Sequence, residues 1–295
     1  MSARTARTAW WYTTPTLLVV ALVTLFPIGF SVVMSFSTVE MGPSGFDLGN
    51  WSANNYAALL DSPIWRQALL FTAGYTVVSV AVELVLGTLV ALVLERLVAA
   101  RGWLLALLLI PWSMITVISA QLWSYIFNSA YGAASWLLGL VTDDPPVILG
   151  TPSSAFAAIL VADVWKTTPF VAIIVLAGLV TIDRGVYEAA EVDGAGPWST
   201  FWRVTLPLLR TTLAIAVLFR VLQAFGVFDL PFVLTGGGPG TSTQPLAMLG
   251  WKIMFQNLNM GAGAAVAAST ALIVFIACLL CLKGFRAQVG EEDGQ

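Results

Sequence analysis

The chain reads as an all-α integral membrane protein with six transmembrane helices. Three observations predict this: the composition, the spacing of the apolar segments and the placement of the few charges. Of 295 residues, 58% are hydrophobic and 10% charged, whereas a soluble domain is about half apolar and about a quarter charged. Apolar segments fall at 16–36, 67–94, 103–128, 156–182, 211–235 and 263–282. The shortest, about 20 residues at about 1.5 Å each, crosses a hydrocarbon layer of about 30 Å. The longer ones need tilt or kinks, which Pro111, Pro169 and Pro231 can supply.

The first segment follows Arg4 and Arg7, as the apolar core of a signal peptide would. It is too long for such a core, and no small-residue cleavage site follows a short one, so an uncleaved first span is expected. Six spans put both termini on one side. The termini and the connections at 95–102 and 183–210 carry nine basic residues: Arg4, Arg7, Arg96, Arg101, Arg184, Arg203, Arg210, Lys283 and Arg286. The opposite connections carry only Arg66 and Lys252. The positive-inside rule then predicts cytoplasmic tails at 1–15 and 283–295, a six-helix domain at 16–282, and a cytoplasmic loop at 183–210. The outer connections, near 37–66, 129–155 and 236–262, read as partly ordered surface loops.

Composition also excludes chemistry. Histidine is absent, which removes histidine triads, proton relays and metal sites. Cys278 and Cys281 stand in an apolar run without a second pair and read as small hydrophobes. TGGGPGTST at 235–243 lacks the Gly-Lys-Ser/Thr ending of a phosphate loop and falls on the outer side. No nucleotide site is expected in the chain, and nothing points to nucleic acid.

Glu83, Asp163, Lys166, Arg220 and Asp229 fall inside the spans. Each is costly in lipid and should face protein or water, lining a substrate path or joining helices. Asp163 and Lys166, three apart, can pair on one helix face. Arg220 and Asp229, nine apart, share a side of their predicted helix. Trp165, Phe170, Phe219, Phe225, Phe228 and Phe232 surround these charges. Rings beside a few polar groups suit a sugar, but they also suit plain helix packing.

The polar stretch EAAEVDGAGPWSTFWRVTLPLL, at 188–209, stands out from so apolar a chain. Val186 to Val192 can form a short helix carrying Glu188 and Glu191, with Gly194 and Gly196 providing a turn. Asp193 can cap a second helix opening at Pro197. Trp198, Phe201, Trp202 and Thr205 then share one face, and Pro207 should end the piece. The acids disfavour anionic lipid, so a groove in a cytoplasmic partner fits better than the membrane surface.

The spacing of Glu188-Ala189-Ala190, Gly194, Val204 and Leu206-Pro207 resembles the EAA loop of ABC importer permeases, with Val204 standing where the family has isoleucine. The fuller stretch, with DVWKTTPF at 163–170 and FDLPFVLTGGGPG at 228–240, is similar to the carbohydrate branch of maltose and trehalose type, and most like a first permease subunit. The likeness runs from the first span to the last. It implies a type I importer fold and a permease that performs no bond chemistry itself. It also implies a second permease, two ATPase subunits that hold ATP and Mg, and a sugar-binding protein outside. It places Glu188, Ala189, Ala190, Asp193, Gly194, Trp198, Phe201, Leu206 and Pro207 in ATPase coupling. It places Trp165, Lys166, Gln223, Phe225, Phe228, Asp229 and Phe232 along the sugar path, where Arg220 joins them as a buried charge. A proton- or ion-coupled carrier using Glu83, Asp163 and Asp229 would also explain the buried acids, but not the loop. An intramembrane enzyme lacks a recognisable nucleophile and base.

Overall fold

The computed structural model describes residues 3–42, 45–97 and 99–290. The ends of the expected tails, at 1–2 and 291–295, lie outside the described residues. By its internal packing the chain divides into two units: Met1–Trp65 with Leu249–Ala271, and Arg66–Met248 with Leu272–Gln295.

In the smaller unit, α1 (Ala3–Ser35) begins within the expected tail. It leads into a two-stranded antiparallel hairpin, β1 (Ser37–Gly42) and β2 (Gly45–Trp51), with Val39 opposite Leu48. The sequence reading had a loop here. Next comes α2 (Asn54–Asp61). Its Asn55 side chain donates to the carbonyls of Ser35 at 3.0 Å and Ser37 at 3.1 Å, tying the hairpin to the helices on either side.

The larger unit holds the candidate site residues. Its α3 (Pro63–Arg96) is followed by α4 (Arg101–Ser113) and α5 (Thr116–Ile126). Then come α6 (Ala133–Gly139) and α7 (Pro152–Leu179). The Thr151–Ser154 capping box opens α7, with Pro152 in its first turn. The predicted third span is therefore a bent pair: α4 and α5 meet at 88°. Each alone is too short for a bilayer of about 30 Å. Pro111 lies in the last turn of α4, beside the break.

After α8 (Arg184–Val192) and α9 (Pro197–Thr200), a π-helical turn at Phe201–Thr205 runs directly into α10 (Leu206–Phe225). Two expectations change here. Pro207 does not end a helix: the chain stays helical through it, and the π-helical turn just before it accommodates the ring and the missing N–H. And the helix predicted at 211–235 stops at Phe225, with α11 (Asp229–Thr235) separate. Pro231 explains the stop, because a continuous helix would set its ring against the Val227 carbonyl. Arg220 and Asp229 thus stand on different helices. The chain finishes with α12 (Leu246–Trp251), a π-helical turn at Lys252–Gln256 and α13 (Met260–Gly290). Cys278 and Cys281 are free thiols.

Among the described residues, five helical segments are long and apolar enough to span a membrane, or six with the bent pair counted as one crossing. The best 18-residue window of α7 is 61% buried, against 6% for α1. α7 is the central post, packed against α4, α5, α10 and α11. Small residues let α3 approach it closely: a Cβ on Gly87 would stand 2.7 Å from the Val171 side chain. Ala91, Val171, Val175, Leu179, Leu209 and Ala216 complete this core.

Candidate functional sites: a polar hairpin and a buried charge network

The hairpin begins where Asp183 caps α8, accepting from the Gly185 N–H at 2.7 Å. The sequence reading missed this cap, though an Asp just before a helix is a legible signal. At the other end, Ala195 N–H bonds the Ala190 carbonyl at 2.9 Å and Gly194 N–H bonds that of Glu191 at 3.0 Å. This Schellman closure needs a left-handed residue, and Gly194 supplies it at φ +77. Gly196 has an ordinary φ and is itself the N-cap of α9. Asp193 therefore closes α8 rather than capping the next helix. A side chain one residue past a helix end has no reach to N–H groups that begin beyond Gly196.

The faces of α8 divide cleanly. Glu188, Ala189 and Glu191 are exposed, and Val192 is 88% exposed. Ala190 is buried, and Tyr187 turns inward, its hydroxyl accepting from Thr205 at 3.5 Å. Trp198, Phe201 and Trp202 pack on one another with centroids 5.3–6.5 Å apart. Trp198 and Trp202 are exposed, Phe201 is half-buried and Thr205 is buried, so the predicted face is a ramp from solvent to core. Leu206 and Pro207 are half-buried on α10. Behind the hairpin lies a cavity of about 670 Å³, lined by Leu89, Leu92, Leu179, Tyr187, Trp198 and Phe201 among others.

The charges within the spans form one cluster. Arg220 is 2% exposed and Glu83 fully buried. The guanidinium grips Glu83 with two donors, Nε to Oε2 and Nη2 to Oε1, the latter at 2.8 Å. Nη2 also reaches Asp163 Oδ2 at 3.0 Å, and Nη1 donates to Gln223 Oε1 at 2.9 Å. Thr167 Oγ1 lies 2.5 Å from Glu83 Oε1. The Tyr75 hydroxyl is buried beside Asp163. Arginine suits this post, because its planar fork binds a carboxylate in two places at once.

Asp163 thus pairs with Arg220, where the spacing had suggested Lys166. Lys166 is also buried, and its Nζ donates to the carbonyls of Met114 at 2.8 Å and Trp112 at 3.4 Å. Those carbonyls are orphans of the α4 C-terminus, so the ammonium caps the break. Glu83, one of the sequence's isolated acids, proves to be the principal anchor of Arg220. No sequence spacing could have paired residues 137 apart.

Of the remaining pathway expectations, Trp165, Gln223, Asp229 and Phe232 present exposed surface, Phe228 is half-buried and Phe225 is buried. Phe228 and Phe232 stack at 5.2 Å, and Trp165 meets Trp123 edge-on at 5.7 Å. Asp229 sits in the first turn of α11, where a carboxylate opposes the positive end of the helix dipole. Among the described residues, no group of histidines, cysteines or acids could hold a metal ion.

A family model described as a binding-protein-dependent transport system inner membrane component matches residues 8–286. The chain belongs to this family. It is a multi-pass membrane transport subunit, a permease and not an enzyme. The permease is 41% identical over 230 residues to the trehalose/maltose transport system permease protein MalF of Thermococcus litoralis, covering 78% of this chain and 77% of that one. It is 33% identical to the trehalose transport system permease protein SugA of Mycobacterium tuberculosis, covering 98% and 92%. It is 35% identical to the sulfoquinovosyl glycerol transport system permease protein SmoG of Agrobacterium fabrum, covering 93% and 87%. In structure the permease resembles a chain of a bacterial ABC transporter involved in import of the acidic polysaccharide alginate. The TM-score is 0.81 at 20% identity over 95% of this chain and 96% of that one, so the permease has the type I ABC importer fold.

Proposed function

We propose that this permease carries a saccharide into the cell, and that α8 is the surface through which an ATPase subunit drives it. The observation that carries the reading is the hairpin: a short acidic helix, closed at Gly194, presenting Glu188, Ala189, Glu191 and Val192 outward. An exposed apolar residue ringed by acids suits a groove on a protein partner better than an anionic bilayer. Asp193, Gly194 and the Trp198–Trp202 pair shape the approach. Ala190, Phe201, Leu206 and Pro207 seat the hairpin on α10, so that a pull on α8 is delivered to the spans. ATP and Mg belong to that partner. The basic asymmetry supports cytoplasmic termini and a cytoplasmic hairpin.

The saccharide class rests on the relatives, whose names specify trehalose, maltose and a sulfoquinovosyl glycerol. It fits a set of exposed rings and polar groups: Trp165, Gln223, Phe228, Asp229 and Phe232. Arg220, Lys166 and Phe225 form the shell behind them. A disaccharide such as trehalose is the substrate we favour. One hairpin serves one ATPase, so a second permease and a second ATPase complete the assembly, with an external binding protein delivering the sugar.

The test is uptake of labelled trehalose into vesicles holding the purified complex, wild type against Glu188→Lys. Loss of ATP-driven uptake in the variant, with its complex weakened or its ATP hydrolysis uncoupled, supports the reading. Uptake that persists without any ATPase subunit, and collapses when the proton gradient is removed, would install a proton-coupled carrier in its place.

A further inference from the structure

The geometry points to Lys166 and Arg220 as positioning residues that tie the α4–α5 bend to the helix leaving the hairpin, rather than as groups that touch the sugar. This rests on the importer reading and specifies how its motion crosses the membrane. α10 is continuous through the π-helical turn with α9, so it extends straight from the hairpin. Fifteen residues into it, Arg220 holds Glu83 on α3 and Asp163 on α7. Lys166 stands three residues along α7 from Asp163, close enough for the two charges to attract. Its ammonium then closes on the carbonyls of Trp112 and Met114 at the break.

The four charges balance, two carboxylates against two cations, and every one of them is buried. Arg220 is hydrogen-bonded to Glu83 and Asp163, and the α7 backbone joins Asp163 to Lys166; parting Arg220 from its acids strands charge in a low-dielectric setting. A turn of α10 is therefore passed to α7 and from there to the bend. At the bend the helical ladder is interrupted between Ser113 and Thr116, so the 88° angle can change without breaking bonds inside either helix. Two of the Lys166 ammonium's three donors are spent on the carbonyls of Trp112 and Met114, whereas a sugar-contacting lysine would turn most of its donors toward the path.

The experiment compares Lys166→Met and Lys166→Arg with wild type in the reconstituted complete importer, using labelled trehalose. The Met variant should lose about tenfold in maximal uptake with KM moved by less than about twofold, while ATP hydrolysis per sugar rises. The Arg variant, which still donates to the two carbonyls, should recover most of the rate. If the Met complex does not assemble, Lys166→Gln keeps a donor without the charge and should show the same split at smaller size. A KM raised about tenfold at unchanged maximal rate would make Lys166 a sugar contact and overturn the proposal. So would wild-type behaviour of the Met variant in every readout, or an Arg variant no better than Met. Absence of ATP-driven uptake in the wild type strikes the importer reading itself, and is thereby distinguished from failure of this inference.

Discussion

The hairpin and the buried charge network both hold acids, and they use them in opposite ways. On α8, Glu188 and Glu191 stand exposed on a helix whose backbone is closed locally, by the Asp183 cap at one end and Gly194 at the other. In the network, Glu83 and Asp163 are buried and satisfied by Arg220, which is 137 and 57 residues distant. An acid facing solvent is cheap to keep and cheap to lose. A buried one is costly on either count unless its partner is present. The difference teaches that the hairpin is free to serve a partner, while the network is committed to holding three helices together.

Substitutions should therefore separate stability from transport, most strongly at the network. Arg220→Met strands two carboxylates and should cost about 3–5 kcal/mol, read as a lowered thermal midpoint of the purified complex. Exchanging the pair, Glu83→Arg with Arg220→Glu, should recover part of that loss. If Arg220→Met is as stable as wild type, the contrast between the two regions fails.

Gly87→Leu tests the packing beneath the network. Its side chain would enter space held by Val171, so a loss of about 1–3 kcal/mol is expected in the same measurement. Gly194→Val probes the hairpin's own closure. A β-branched residue at φ +77 should cost about 1–2 kcal/mol locally. Its larger consequence should appear in uptake, because α8 is then misdirected. Glu188→Gln should leave the stability of the complex within about 0.5 kcal/mol of wild type. Uptake should nonetheless fall about tenfold, or about 1.4 kcal/mol of coupling. A Glu188→Gln complex with full uptake would show that the exposed acid serves no partner.

The sequence determined a good deal. The six apolar stretches are visible because spanning a bilayer demands long runs without charge. The hairpin is visible because its parts lie within about 25 residues and its acids, glycines and proline act on their own neighbours. Gly194 was legible for that reason, since a left-handed residue must be carried by the chain at that point. Local misreadings came from side chains with two possible uses. Asp193 could cap forward or close backward, and Pro207 could end a helix or be carried within one behind a π-helical turn. In each case the path of the flanking backbone chose between them.

What only the tertiary structure decided was which charges meet. Glu83, Asp163, Lys166 and Arg220 were each visible as improbable residues in lipid, but the (i, i+3) spacing of Asp163 and Lys166 favoured the wrong pair. Arg220 won Asp163 because α3, α7 and α10 pack closely enough to place two carboxylates around one guanidinium. Lys166 was drawn instead to carbonyls that exist only because α4 breaks after Pro111. Local hydrogen bonds are written in neighbouring residues. Pairings across helices depend on how the helices approach, which no single stretch of the chain encodes.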